Sequence, residues 1–183
     1  FSRKTILYGF EKKNDYRLVN YKNKGFSSEF SLVNTENEVL DLKLNIPGRH
    51  NALNAAAAVI IALEENISSI NIQSALSKFS GINRRMEFLG KLNSTMVVDD
   101  YGHHPNEIRS TIETLRESFV DKEITMVFQP HRYSRTSDLF TDFVEVLSLV
   151  DRLLLLDIYP AREKALKDIS SSKLLESIKK SGF

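Results

Sequence analysis

The sequence predicts an α/β chain in two parts, a β-rich segment closed by helices and then a parallel sheet with covering helices. Three observations carry that prediction. Residues 1–46 alternate short β-prone runs with Asn-, Asp- and Gly-containing turns. An alanine-rich run follows at 55–63, a strong helix former with small side chains suited to close packing. From Glu87 onward apolar strand-like runs alternate with amphipathic segments at helical spacing, the pattern of a parallel sheet with right-handed crossovers.

In chain order, the runs Thr5–Phe10, Tyr16–Val19, Ser28–Val33 and Val39–Leu44 read as half-buried strands of an antiparallel sheet. Asn14-Asp15, Asn23-Lys24-Gly25 and Asn34–Asn37 supply the turns. Pro47-Gly48 breaks the last strand and a helix runs on to Leu63. A second helix is expected over Ser69–Phe79, with Gly81 ending it near C′. Residues 82–88 connect the two parts, with the domain boundary expected between 85 and 86.

In the second part Thr95–Asp99, Ile124–Phe128 and Leu153–Ile158 read as strands. Glu107–Phe119 reads as a helix with Ile108, Ile112, Leu115 and Phe119 on its apolar face, and Leu139–Leu149 as one with Phe140, Phe143, Val144 and Leu147 inward. Gln129–Thr136 is expected to be a loop. Ser170–Lys180 is the last helix, capped by Ser170 or Ser171. Parallel pairing would put all three strand ends on one edge, where open α/β sheets bind ligands.

Composition narrows the functional classes. With 183 residues, the chain has room for one large or two small domains. It is 42% hydrophobic and 27% charged, the makeup of an ordinary soluble protein. A net charge of +1 argues against a nucleic-acid binder. The first 85 residues carry twelve basic and eight acidic side chains and the remainder thirteen and sixteen, so neither part bears a dense basic stripe. No run is long and apolar enough for a membrane span. The absence of cysteine excludes disulfides and thiolate metal sites and fits a cytoplasmic setting. Because the chain opens on Phe1 in a strand-like stretch, it is expected to be a fragment of a longer protein.

The residues with chemistry cluster at 96–108. Asp99, Asp100, Tyr101, His103 and His104 stand between a strand and a helix opened by Pro105. Asp100 or His104 either caps that helix or faces a ligand. Arg132 and Arg135, three apart, can neutralise a carboxylate or phosphate, and either histidine can take up a proton near neutral pH. Asp99 and Asp100 suit ribose hydroxyls or a metal, but His-His-Pro lacks the i, i+4 spacing of a helical zinc site. Asn51 and Asn54 share the first turn of their helix. Asn51 either caps it or joins Asn54 in the donor-acceptor pattern that an adenine edge demands. Arg84-Arg85 is either solvated surface or a phosphate clamp. No P-loop, no Gly-x-Gly-x-x-Gly and no activated nucleophile is present.

The motifs Pro47-Gly48-Arg49-His50-Asn51-Ala52-Leu53-Asn54-Ala55, Gly81-Ile82-Asn83-Arg84-Arg85, Asp99-Asp100-Tyr101-Gly102-His103-His104-Pro105, Gln129–Thr136 and Tyr159-Pro160-Ala161 together resemble the Mur ligases of bacterial peptidoglycan synthesis. The resemblance implies the end of a Mur-ligase central ATPase domain over 1–85 and a Rossmann-like C-terminal, amino-acid-binding domain, truncated at its end, over 86–183. It implies a cytoplasmic ATP- and Mg²⁺-dependent ligase that joins L-alanine to UDP-N-acetylmuramate through an acyl phosphate. This fragment alone is then inactive, since the P-loop belongs to missing N-terminal domains. By the same resemblance His50, Asn51, Asn54, Arg84, Arg85 and Asp100 contact ATP, with Arg85 favoured over Arg84 for the phosphates. Tyr101, His103, Arg132 and Arg135 line the alanine pocket. No residue of the chain is implied as a metal ligand. Arg162 departs from the family pattern, which has glycine in a Tyr-Pro-Ala-Gly-Glu loop, and is expected to point to solvent. The alternatives are the family member that recycles murein tripeptide, and a non-catalytic nucleotide-binding module.

Overall fold

A computed structural model of the chain describes residues 5–183 and divides into two compact units. The first comprises the described residues up to 100 with 117–119, the second 101–116 with 120–183.

The first unit begins with β1 (Tyr8–Gly9), β2 (Tyr16–Lys24), β3 (Ser27–Asn34) and β4 (Val39–Leu44), one sheet in sequence order. β2, β3 and β4 pair antiparallel, as expected. β1 instead pairs parallel to β2, Tyr8 opposite Tyr16. It is only two residues long, so it needs no long crossover. β2 also runs through Asn23 and Lys24, and the turn falls at Gly25, whose φ of 62° suits glycine. Alternation of period two sends Ser28, Phe30 and Leu32 inward from β3, and Leu42 and Leu44 from β4. Against that face lies α1 (Arg49–Glu64), presenting Ala52, Ala56, Val59 and Ile60 at helical spacing. α2 (Ser69–Lys78) adds Ile72, and its N-cap Ser68 accepts a hydrogen bond from the Asn71 N–H.

Gly81 does not end α2 at C′, because Phe79 already caps it. Glycine is required there for another reason: φ is 95°, and a Cβ would stand 2.8 Å from the Ile46 side chain.

Two corrections concern the strands expected in the parallel sheet. Thr95–Asp99 is indeed a strand (β6), but it pairs antiparallel with β5 (Glu87–Leu92) in a hairpin of the first unit. β5 was not foreseen because Gly90, at the register shift, interrupts its alternation. The division between compact units accordingly falls after Asp100, beyond that hairpin. Of the three strands expected in that sheet, only β7 (Thr125–Phe128) and β8 (Arg152–Leu155) pair parallel, from Thr125 opposite Arg152 to Phe128 opposite Leu155.

In the second unit α3 (Pro105–Ser118), α5 (Phe140–Leu147) and α6 (Ser171–Lys180) complete the core with this strand pair. Ile108, Ile112, Phe128, Phe143, Val146, Leu147, Leu174 and Ile178 are buried together. Ser170 is the cap of α6, its hydroxyl accepting from the Lys173 N–H at 3.2 Å. The expected loop after β7 contains a short helix, α4 (Tyr133–Asp138). No helix among the described residues is long and apolar enough to cross a membrane.

Candidate functional site

The expected site residues fall into two groups, one in each unit. In the first, α1 starts at Arg49 with Gly48 as N-cap at φ 105°. The Gly48 N–H, one of the helix's orphan donors, is shared by the Tyr21 hydroxyl and the Asn23 side-chain oxygen, each at 3.0 Å. Burial pushes the Tyr21 phenol up to about 12, so it stays protonated. This anchors the turn that presents His50. Asn51 is not the cap: its amide NH₂ donates to the Pro47 carbonyl at 2.7 Å, while Asn54 one turn on is exposed.

His50 is half-buried, and burial holds its imidazole below the ordinary value. The nearby Asp100 carboxylate pulls the other way and the Arg85 guanidinium reinforces the depression, so these three groups sit within electrostatic reach. Asp100 does not cap α3. It accepts the Met86 N–H at 2.9 Å, tying the end of β6 to the turn at residues 84–86, where Arg84 and Met86 both have positive φ. Arg84 has partners of its own. Its Nε is 3.4 Å from the Asp99 carboxylate, and its N–H donates to Glu87 at 2.6 Å.

The His50 shift has a measurable consequence. Asp100→Asn keeps an acceptor for the Met86 N–H but removes the charge that favours imidazolium. The His50 titration, followed by NMR on this chain, should then move further down. An unchanged or raised midpoint would place Asp100 out of reach of His50. The depressed value also means that His50 favours folding less as pH falls below about 6.5, because the unfolded chain binds the proton first.

The second group lies around the ends of β7 and β8. The two strands are continued by an isolated parallel bridge between His131 and Tyr159. The Arg132 N–H donates to the Tyr159 carbonyl and the Tyr159 N–H to the Pro130 carbonyl, each at 2.8 Å. The His131 and Tyr159 rings stack with centroids 5.4 Å apart. His131 is held below its ordinary value by burial first, then by Arg135, Arg132 and His103. Three of the four expected pocket residues are therefore gathered about His131. The fourth, Tyr101, is 51% exposed and meets the His103 ring edge-on at 5.3 Å.

His103 and His104 have different tasks. Glu107, in the first turn of α3, accepts the N–H groups of both at 3.1 and 3.2 Å, the backward half of a capping box. The His104 ring accepts the Asn106 N–H at 3.4 Å, so His104 caps the helix. The His103 Nδ1 faces the Tyr101 carbonyl and the Glu107 carboxylate at 3.1 and 3.3 Å. Both neighbours are acceptors, so Nδ1 carries the proton.

Residues 84–182 match the family described as "Mur ligase, glutamate ligase domain", and residues 1–62 match "Mur ligase middle domain". The chain belongs to the Mur ligase family. A UDP-N-acetylmuramate–L-alanine ligase from Baumannia cicadellinicola subsp. Homalodisca coagulata is 49% identical to this Mur ligase chain over 97% of it. The chain spans 38% of that relative's length. The crystal structure of UDP-N-acetylmuramate–alanine ligase from Thermotoga maritima superposes with a TM-score of 0.80 at 28% identity, covering 97% of this chain and 37% of that one. MurF from Acinetobacter baumannii shares the fold, with a TM-score of 0.69 at 19% identity over 96% of this chain and 36% of its own.

The Mur ligase motifs marked strand ends but missed two side chains that organise the second group. His131 lies at its centre and Tyr159 stacks on it; both were quoted within motifs without a role. Their position just past two adjacent parallel strands was the available signal. Arg162 is exposed, as expected, and has φ 71° next to Ala161 at φ 47°. Glycine reaches the left-handed region without the cost of about 1–2 kcal/mol that a Cβ brings. The turn survives the replacement because the Glu163 N–H bonds the Pro160 carbonyl at 2.9 Å.

Proposed function

We propose that this chain is the ATP-contacting and amino-acid-binding part of an ATP-dependent ligase. The whole enzyme joins L-alanine to UDP-N-acetylmuramate for peptidoglycan synthesis in the cytoplasm. The 49% identity to a relative bearing that name is the observation that carries the substrate assignment. The functional division we adopt is 1–85, the late part of the central ATP-binding domain, and 86–183, the C-terminal domain. In its support, the two family matches end at 62 and begin at 84. The remaining domains of the same protein, P-loop included, are the partners this chain needs for activity.

His50, Asn51, Asn54 and Asp100 are the hydrogen-bonding groups assigned to the adenosine part of ATP, Asn51 through its side-chain oxygen while its NH₂ steadies the turn. The donors and acceptors gathered there fit a nucleoside. Arg85, with Arg84 behind it, is assigned to the phosphates, where a guanidinium offsets charge that builds up during transfer. ATP supplies the phosphoryl group that activates the muramate carboxylate as an acyl phosphate. Mg²⁺ belongs to such chemistry, but no group of three or more His, Asp or Glu able to hold a metal occurs among the described residues. No role assigned to this chain passes through the ion.

Arg132 and Arg135 are assigned to the alanine carboxylate, and His103 and Tyr101 to the walls of the pocket. The two cations leave the alanine amine as the uncoordinated end, free to attack the acyl phosphate. A pocket closing on one methyl discriminates alanine from glycine by only about 1–3 kcal/mol.

The test is phosphate release by the full-length enzyme with ATP, Mg²⁺ and UDP-N-acetylmuramate. L-alanine, glycine, L-serine and murein tripeptide are added in turn. Release that depends on L-alanine, with glycine weaker by about 10- to 200-fold, is expected. Dependence on tripeptide alone would move the assignment to the recycling ligase. Silence with all four would favour a binding module.

A further inference from the structure

We propose that Glu163 is a positioning residue for the alanine-carboxylate site, a clasp between the two strand-end loops that sets the stance of Arg132 and Arg135. The inference rests on the function proposed above. Both oxygens of Glu163 are engaged by one residue of the other loop: Oε2 accepts the Ser134 N–H at 3.0 Å and Oε1 accepts the Ser134 hydroxyl at 2.7 Å. α4 begins at Tyr133, and its N-cap, Arg132, makes no side-chain cap bond and stands at φ 76°. A helix start of that kind leaves its first N–H groups without a local acceptor. The acceptor arrives instead from the loop after β8, twenty-nine positions away in sequence.

The consequence for the arginines is geometric. α4 is six residues long, too short to hold its own register. Its first turn carries Arg132 and Arg135. The Thr136 hydroxyl bonds back to the Arg132 carbonyl at 2.8 Å, and an Arg135 guanidinium nitrogen lies 3.4 Å from the His131 carbonyl. Glu163 is in turn held by the bond from its N–H to Pro160, across two residues in the left-handed region. Backbone bonds between Arg132, Tyr159 and Pro130 stitch one end of the loop pair, and the carboxylate stitches the other. The Ser134 N–H and then its hydroxyl hold the Glu163 carboxyl below its ordinary value, with the Tyr133 N–H and Arg132 adding to them, so the clasp is charged at neutral pH.

The test compares wild type, Glu163→Ala and Glu163→Gln in the full-length enzyme, reading KM and kcat for L-alanine-dependent phosphate release. Glutamine keeps an oxygen for the Ser134 N–H, and the Ser134 hydroxyl can turn to accept from its NH₂. The expected result is a KM for alanine raised about 10-fold or more in Glu163→Ala and restored to within about threefold in Glu163→Gln. The KM for ATP stays within about twofold, as for a lost charge-assisted hydrogen bond confined to one site. An unchanged KM for alanine in Glu163→Ala, or a fall in thermal stability alone, would overturn the clasp. So would a glutamine variant as impaired as the alanine one. A second readout judges the contact without activity: in this chain the Ser134 amide resonance should follow an acid titration centred below the usual carboxylate range, and lose it in Glu163→Gln. Wild-type enzyme that releases no phosphate would sink the proposed function, whereas a Ser134 amide blind to that titration would sink the clasp.

Discussion

Replacing Phe143 with alanine should cost the second unit about 3–5 kcal/mol, a large share of the roughly 5–15 kcal/mol that holds a typical domain folded. Phe143 on α5 has no exposed surface, and its ring centroid lies 5.7 Å from that of Phe128 on β7. Val146, Leu147, Leu174 and Ile178 around it are equally buried, drawn from α5 and α6. Removing the ring forfeits its transfer energy and leaves a cavity whose walls are held by two helices and a strand. Urea unfolding followed by circular dichroism measures the change, with Phe143→Leu as the control that keeps most of the apolar volume. A loss below about 1 kcal/mol for the alanine variant would show that this interior collapses around the gap.

Replacing Arg132 with alanine should abolish most alanine-dependent activity of the full-length enzyme without a comparable loss of stability. Arg132 is exposed, so truncation leaves no cavity. Alanine inherits the φ of 76° at a cost similar to arginine's, so the backbone strain hardly changes. One charge-assisted contact to the substrate carboxylate is worth about 2–3 kcal/mol, or roughly 30- to 150-fold in the KM for alanine. Steady-state kinetics with alanine varied reads this directly, while the KM for ATP should remain within about twofold. An equal rise in both KM values would instead mean that Arg132 shapes the whole molecule. Arg132→Lys should recover only part of the loss, because an ammonium lacks the planar fork that matches a carboxylate.

These two substitutions sit at opposite ends of what the sequence disclosed. Phe143 was legible as core because the apolar stripe on Leu139–Leu149 repeats at helical spacing. Arg132 was singled out for the amino-acid pocket, the role we propose for it, through its neighbours His131 to Thr136 and their resemblance to a Mur ligase motif. That Arg132 opens a helix was not legible. Its N–H partner, Tyr159, and the acceptor for Ser134, Glu163, come from a loop far along the chain. Similarly, Asn51 looked like a cap or an adenine ligand. It is not the cap, because a glycine fixed from β2 by Tyr21 and Asn23 already starts α1; its NH₂ bonds Pro47 and its side-chain oxygen remains for the adenine contact we propose.

By itself, the sequence determined the kind of most elements, most of their inward faces and the family, while β5 and the short helix α4 escaped it. Those properties rest on periodicity, capping residues and motif spacing, all of which act within a few residues of each other. β4 spans Val39–Leu44, as its alternation said, and β6 spans Thr95–Asp99, as its apolar run said. Only the tertiary structure decided which strand each one pairs with. β6 turned to β5 rather than joining β7, because backbone donors and acceptors are alike in every strand and carry no address. The side chains around His131, the Asp100 tie to Met86 and the Glu163 clasp were decided at that level too. Each depends on a partner brought close by folding.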